Sequence, residues 1–482
     1  MEYAYKNINR GIKTDKYTNY SISLAIVYVI ILLALVLDRK FDHWFLIPVG
    51  LAGILAGSDA VKWFRQKDSI FDVEGIVGII GFHFFFLAPL MHVYFNYWMK
   101  TIDMPSDWRD WLGGMAIINS SGLILYKYAK NMLIKRYSNS RSFWAINPGI
   151  FHPMVTLLLV ISLGLQLWVF IKQGGLLGYI MAFSKNDGAF EGMGWIFTVS
   201  ESFPILFILY VIFLLKEKKV NSSWIIFIVL CVFFTLKMIF GGLRGSRSNT
   251  IWGLFWAIGI IDLWLKKVSR RAILIFALFI LAFMYIYGFY KQGGIEAAGI
   301  FREDKSRSRF EQTYNRSFEA VLLGDFARSD VQAYLLYRLS KNNKDYKYAF
   351  GRTYLGALSL MVPKAIWKDR PLTKVKEGEE IQGGIGASRI YGLAGEAMLN
   401  FGPLAAVFFF IIFGFVVGYI KRFADNLEYK DARVVMIPFL INLSFLALGS
   451  DSDNIIFFLI KQGFLPFMLI LFSSRKYLFQ LN

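Results

Sequence analysis

AILIFALFILAFMYIYGFY, residues 272–290, runs nineteen residues without a charge or a proline. As a helix it matches the ~30 Å hydrocarbon layer of a bilayer. Lys266, Lys267, Arg270 and Arg271 stand before it and Lys291 follows it. Similar apolar runs occupy 20–37, 44–60, 73–95, 112–126, 154–171, 195–215, 224–240, 250–265, 403–420, 434–448 and 455–472. The expectation is an all-α, polytopic integral membrane protein with about twelve transmembrane helices.

Composition agrees. Of 482 residues 56% are hydrophobic and 18% aromatic, with mean hydropathy +0.47, more apolar than soluble domains. The net charge of +19 is scattered between spans, as in the cytoplasmic connectors of membrane proteins, and not gathered on a nucleic-acid-binding face. Cys231 is the one cysteine, which excludes a disulfide framework, and the four histidines show no metal-ligand spacing. No metal and no cofactor is expected.

Lys and Arg also orient the chain. With the N-terminus inside, the inner connectors hold about 25 of them and the short outer ones about 8. Both termini are then cytoplasmic, and residues 291–401 lie outside. That division gives three sequential parts. Residues 1–290 form a bundle of about nine helices, 291–401 a long outer loop with amphipathic helices, and 402–482 three more spans. In the loop Arg302, Lys305, Arg309 and Arg316 fall on one helical stripe, with Phe310, Tyr314, Phe318, Val321 and Leu322 opposite. Ser329 reads as a helix N-cap, and 353–362 as a short apolar piece ended by Pro363.

Three stretches carry candidate chemistry. In Gly241-Gly242-Leu243-Arg244-Gly245-Ser246-Arg247-Ser248-Asn249, two guanidiniums stand among glycines, before a helix capped by Ser248 or Asn249. Guanidinium forks, bare amides and a helix dipole all favour an anion, and a diphosphate at the membrane surface is the natural ligand. The plainer reading is a turn whose arginines reach lipid phosphates. In Gly351-Arg352-Thr353-Tyr354-Leu355 and on through Pro363-Lys364-Ala365-Ile366-Trp367-Lys368-Asp369-Arg370-Pro371, bases flank a tryptophan suited to stacking on a sugar. The alternative is an interfacial helix end. In Gly392-Leu393-Ala394-Gly395-Glu396-Ala397-Met398-Leu399-Asn400-Phe401-Gly402-Pro403, an acid sits in an apolar setting at a membrane entry. Burial raises such a carboxyl toward the range of a general base. The competing role is a structural pair with Arg389.

These three stretches, in this order and with the long outer loop, resemble the Wzy-type O-antigen polymerases, the oligosaccharide repeat-unit polymerases. Where members often carry Arg and Lys, this chain has Lys364 and Arg370, which keeps the charge but moves the guanidinium fork. The resemblance implies a fold similar to the C-type glycosyltransferases. It implies a glycosyltransferase of the plasma membrane that joins polyprenyl-diphosphate-linked oligosaccharides into O-antigen (lipopolysaccharide), capsular or exopolysaccharide. Undecaprenyl diphosphate is the carrier, and chain-length regulator and flippase proteins are the implied partners besides the lipid bilayer.

On that basis Arg244 and Arg247, helped by Arg302, Arg309 and Arg316, bind the donor diphosphate. Arg352, Lys364, Trp367, Arg370 and Arg389 hold the glycan or the second diphosphate. Glu396, with Asp330 as runner-up, takes the proton of the attacking hydroxyl. Asp330 also suits a plain first-turn acid facing a helix dipole. The rival functions are a lipid-linked glycan transporter or flippase, an O-antigen-type ligase, and a structural scaffold.

Overall fold

The computed structural model describes residues 16–65, 69–98, 104–134, 142–185, 190, 193–293, 317–341, 348–362, 366–367, 369, 371, 390–428 and 430–478. They are mostly helical. Among them ten helices are long and apolar enough to cross a membrane, so the chain is a polytopic, membrane-embedded helical protein.

In chain order the helices are α1 (Lys16–Leu37), α2 (Leu46–Arg65), α3 (Val73–Tyr94), α4 (Trp108–Ile134), α5 (Pro148–Lys172) and α6 (Gly175–Lys185). Then follow α7 (Gly194–Glu217), α8 (Ser223–Ile239), α9 (Arg247–Trp264) and α10 (Arg270–Gly293). Three short helices come next: α11 (Ser329–Lys341), α12 (Arg352–Ser359) and α13 (Gly392–Phe401). The last spans are α14 (Pro403–Asp425), α15 (Ala432–Gly449) and α16 (Ser452–Ser473).

Ten of the twelve apolar runs lie in these helices; 112–126 and 250–265 are helical as well, in α4 and α9, but those two helices are less apolar. Helix α4 carries Lys127 and Lys130, both buried and ion-paired. The all-α expectation also misses two five-residue strands. β1 (Ser142–Ile146) and β2 (Ser474–Leu478) pair antiparallel, Ser142 opposite Leu478 and Ile146 opposite Ser474. Trp264, at the end of α9, is buried, with Lys216 Nζ 4.8 Å from its ring centroid.

Contacts gather the chain into two units that interleave in sequence, whereas the three sequential parts are divided by polarity alone. The first comprises Met1–Ser138, Leu322–Asp425 and Leu443–Ile456. Its most extensively packed helix pair is α4 against α14. Gly414 and Gly418 lie on α14 with three residues between them, and a Cβ there would meet the carbonyl oxygens of Tyr126 (2.5 Å) and Lys130 (2.9 Å). From α4, a Cβ on Gly122 would strike the Phe410 ring at 2.3 Å. Small residues on both sides let the backbones close in, the usual packing device of membrane helices.

One end of this unit is tied by alternating charges. Asp59 binds Lys127 (2.9 Å) and Lys130 (3.0 Å), and Glu74 binds Lys130 (2.8 Å) and Lys62 (2.7 Å). Lys421 binds Asp72 (2.8 Å) and Asp425 (2.9 Å). Each charge has an opposite neighbour, which is what makes burial of ions tolerable.

The second unit comprises Asn139–Val321, Asn426–Asn442 and Phe457–Asn482. Trp256 is fully buried in it, and its indole N–H donates to the Val435 carbonyl at 2.8 Å. Asp431 ties β1 to the start of α15: it accepts from the Trp144 amide (3.3 Å) and pairs with Arg433 (2.6 Å).

Candidate functional site

In the first unit, α13 presents Glu396, which is 3% exposed. The helix is placed by its two ends. At its start Asp451 Oδ1 accepts from the amides of Tyr391 (2.9 Å) and Gly392 (3.0 Å), occupying two of the amides that a helix N-terminus leaves unpaired. Gly392 has φ +73°, and a Cβ there would meet the Leu448 carbonyl at 2.9 Å. At its end the amides of Ala349 and Phe350 donate to the carbonyls of Leu399 and Asn400. The Gly351 amide donates to Asn400 Oδ1 at 2.9 Å.

Glu396 accepts from the Ser452 amide (2.7 Å), the Ser452 hydroxyl (2.6 Å) and the Thr353 hydroxyl (2.8 Å). Asn400 Nδ2 donates to Thr353 Oγ1 at 2.7 Å, which fixes that hydroxyl toward Glu396. Burial is the largest influence on the carboxyl and the Asp451 charge the next. Together they outweigh these donors and raise it from 4.5 to about 7. The Tyr354 phenol, stacked 5.4 Å from Phe409, is pushed well above its usual value by burial and then by Glu396 and Asp451, so it stays protonated. A carboxyl raised toward neutrality lies in the range where a general base can accept a proton.

Asp330, the runner-up, is fully buried in the first turn of α11, its Oδ1 accepting from the Val331 amide at 2.8 Å. Its neighbour Gln332 donates to the Tyr391 carbonyl at 2.7 Å, so α11 braces α13. Ser329 is the first residue of α11, not a cap ahead of it. Arg352 opens α12, is exposed, and its Nε donates to the Ala349 carbonyl at 3.3 Å. Trp367 is 38% exposed. Arg302, Arg309, Arg316, Lys364, Arg370 and Arg389 lie outside the described residues.

In the second unit, residues 241–246 turn between α8 and α9. Gly241 (φ +131°) and Gly245 (φ +87°) take backbone conformations open to glycine. Arg244 is half-buried. Its Nη2 donates to Glu201 Oε1 at 2.6 Å, and its guanidinium carbon lies 4.0 Å from the Phe197 ring centroid. Arg247 is the first residue of α9, flanked by Ser246 with no side-chain cap bond. The expected cap at Ser248 or Asn249 thus falls inside the helix. Asn249 is turned inward, donating to Glu201 Oε2 at 3.0 Å.

Glu201, Lys237 and Lys461 had no assigned role in the sequence reading. The signal was present: each is a charge inside an apolar run, and such charges find partners or function. Glu201 is fully buried and also pairs with Lys461; Lys237 Nζ donates to Gln462 Oε1 at 2.7 Å.

These features define a helical, polytopic membrane protein with a buried carboxyl raised toward neutrality in one unit and a cation-rich cluster in the other. No family model matches the chain, and no curated protein or solved structure matches it.

Proposed function

We propose that the protein joins polyprenyl-diphosphate-linked oligosaccharide repeat units at the outer face of the plasma membrane. The observation that supports this best is the buried Glu396 carboxyl, raised to about 7 and held by Thr353 and Ser452. In this reading Glu396 takes the proton from the attacking sugar hydroxyl. The hydroxyl oxygen forms the new bond to the donor's anomeric carbon, and the bond to the diphosphate breaks, its electron pair leaving with the phosphate oxygen. Diphosphate is a good leaving group, so fixed cations that receive its charge do most of the remaining work. Arg244 and Arg247 are assigned that part. Arg352 and Trp367 are assigned to glycan. An arrangement like the C-type glycosyltransferases belongs to the same reading.

Loss of the gene tests it. Surface glycan should collapse from a ladder to single repeat units, and an unchanged ladder would contradict the proposal. Buried ionised groups within the spans also suit a transporter. Flipping of lipid-linked sugar without polymer formation would favour that alternative.

A further inference from the structure

The cluster around Glu201 has a lopsided charge. Among the described residues its hydrogen-bonded and ion-paired members are Arg244, Lys237 and Lys461 as bases and Glu201 as the acid. Lys237, Lys461 and Glu201 are all almost fully buried. With all three bases protonated the cluster would carry two positive charges beyond neutrality, which is costly there, in contrast to the alternating acids and bases of the first unit.

The hydrogen bonds also have a direction. Lys237 donates to Gln462, Gln462 Nε2 donates to Asn249 Oδ1 (3.0 Å), and Asn249 donates to Glu201. Arg244 and Lys461 point at the same carboxylate. Arg244, Lys461 and Asn249 thus converge on the two oxygens of one carboxylate, with Lys237 and Gln462 behind Asn249, and convergent donors of this kind are how proteins hold a phosphate. The loop is shaped around that position. A Cβ on Gly241 would lie 2.7 Å from Glu201 Oε2, and Tyr290 donates to the Leu243 carbonyl at 2.6 Å, with Tyr287 donating to that of Gly242. The way in is past Arg244, whose side chain is 19% exposed while that of Glu201 is 0%.

We propose that Arg244, Lys237, Lys461 and Asn249 form a phosphate-class anion site whose place Glu201 fills when no ligand is bound. The entering anion takes over Arg244 and Lys461 and brings the negative charge the cluster lacks. This rests on the reading of Arg244 as a diphosphate ligand, and it adds the residues beneath it and a built-in competitor. The ligand is a diphosphate, either free or on a lipid carrier.

The test is binding to the full-length protein in nanodiscs, followed by thermal midpoint and by titration. The probes are inorganic pyrophosphate and polyprenyl diphosphate. Wild-type protein should be stabilised by pyrophosphate in a saturable way. Glu201→Gln should bind it about tenfold more tightly, because the competitor is gone, and Lys237→Met about tenfold more weakly. If Glu201→Gln does not fold without ligand, Lys237→Met alone decides. Much tighter binding of the lipid form identifies a lipid-linked ligand, and equal binding identifies the free anion. Absence of stabilisation by both probes, or unchanged affinity in Lys237→Met, overturns the site. Binding without polymer formation would remove the polymerase reading and leave this site standing. Polymer formation with pyrophosphate affinity unchanged in both variants would do the reverse.

Discussion

Glu396 owes its proton affinity to being out of water beside Asp451, and that sets a pH dependence with a definite sign. Its carboxyl titrates near 4.5 in the unfolded chain and near about 7 in the folded one. The folded state therefore holds its proton more strongly. The stability this gives is complete below 4.5 and is lost as pH rises through about 7. The loss amounts to about 3 kcal/mol. Glu396→Gln should flatten this part of a pH series of thermal midpoints in detergent; an unchanged slope would place the raised carboxyl elsewhere. The residue was legible in sequence because an acid stood in an apolar, glycine-rich run. Its partners were not, since Thr353 and Ser452 are far from it in the chain and meet it only through the fold. Lys127 and Asp59 make a second case at this scale. Asp59→Asn leaves Lys127 and Lys130 short of a counter-charge, so it should cost about 3–5 kcal/mol, read as a lower unfolding midpoint.

Helices were legible wherever hydropathy alone decides, as in α1, α5, α10 and α14, whose described limits fall within a few residues of the apolar runs, α1 and α5 starting earlier. The composition of α4 is less clear because buried lysines interrupt it. The β1–β2 pair escaped because its strands lie in the polar connector after α4 and at the chain's far end, 328 or more residues apart. Packing between α4 and α14 was legible only as a spacing of glycines. Gly414→Val should push α14 off the Tyr126 carbonyl and cost about 1–3 kcal/mol by overpacking. Gly164→Val on α5, with nothing within 4 Å of its Cβ, is the control and should be close to neutral. Equal midpoints for both variants would contradict the close helix approach.

For the whole molecule, the class was legible as span after span of apolar residues, and the orientation that its bases imply stands as a proposal. The interleaving of two units had no counterpart in hydropathy, which reads neighbours along the chain and not contacts across it. With α4 and α9 counted as crossings, the proposed orientation puts the Arg244 loop outside and the connector after α7 inside. In a Cys231→Ser background, a cysteine at exposed Ser248 should react with a membrane-impermeant thiol reagent on intact cells. One at exposed Lys218 should react only after the membrane is opened. The reverse pattern would invert the topology and, with it, the proposed reaction face. The account turns most directly on one reconstitution: purified protein in vesicles, with polyprenyl-diphosphate-linked repeat units as sole substrate, followed by gel analysis of the glycan. It predicts a ladder whose rate rises with pH through about 7 and vanishes in Glu396→Gln. Unextended repeat units from the wild type, or a full-rate ladder from Glu396→Gln, would contradict it.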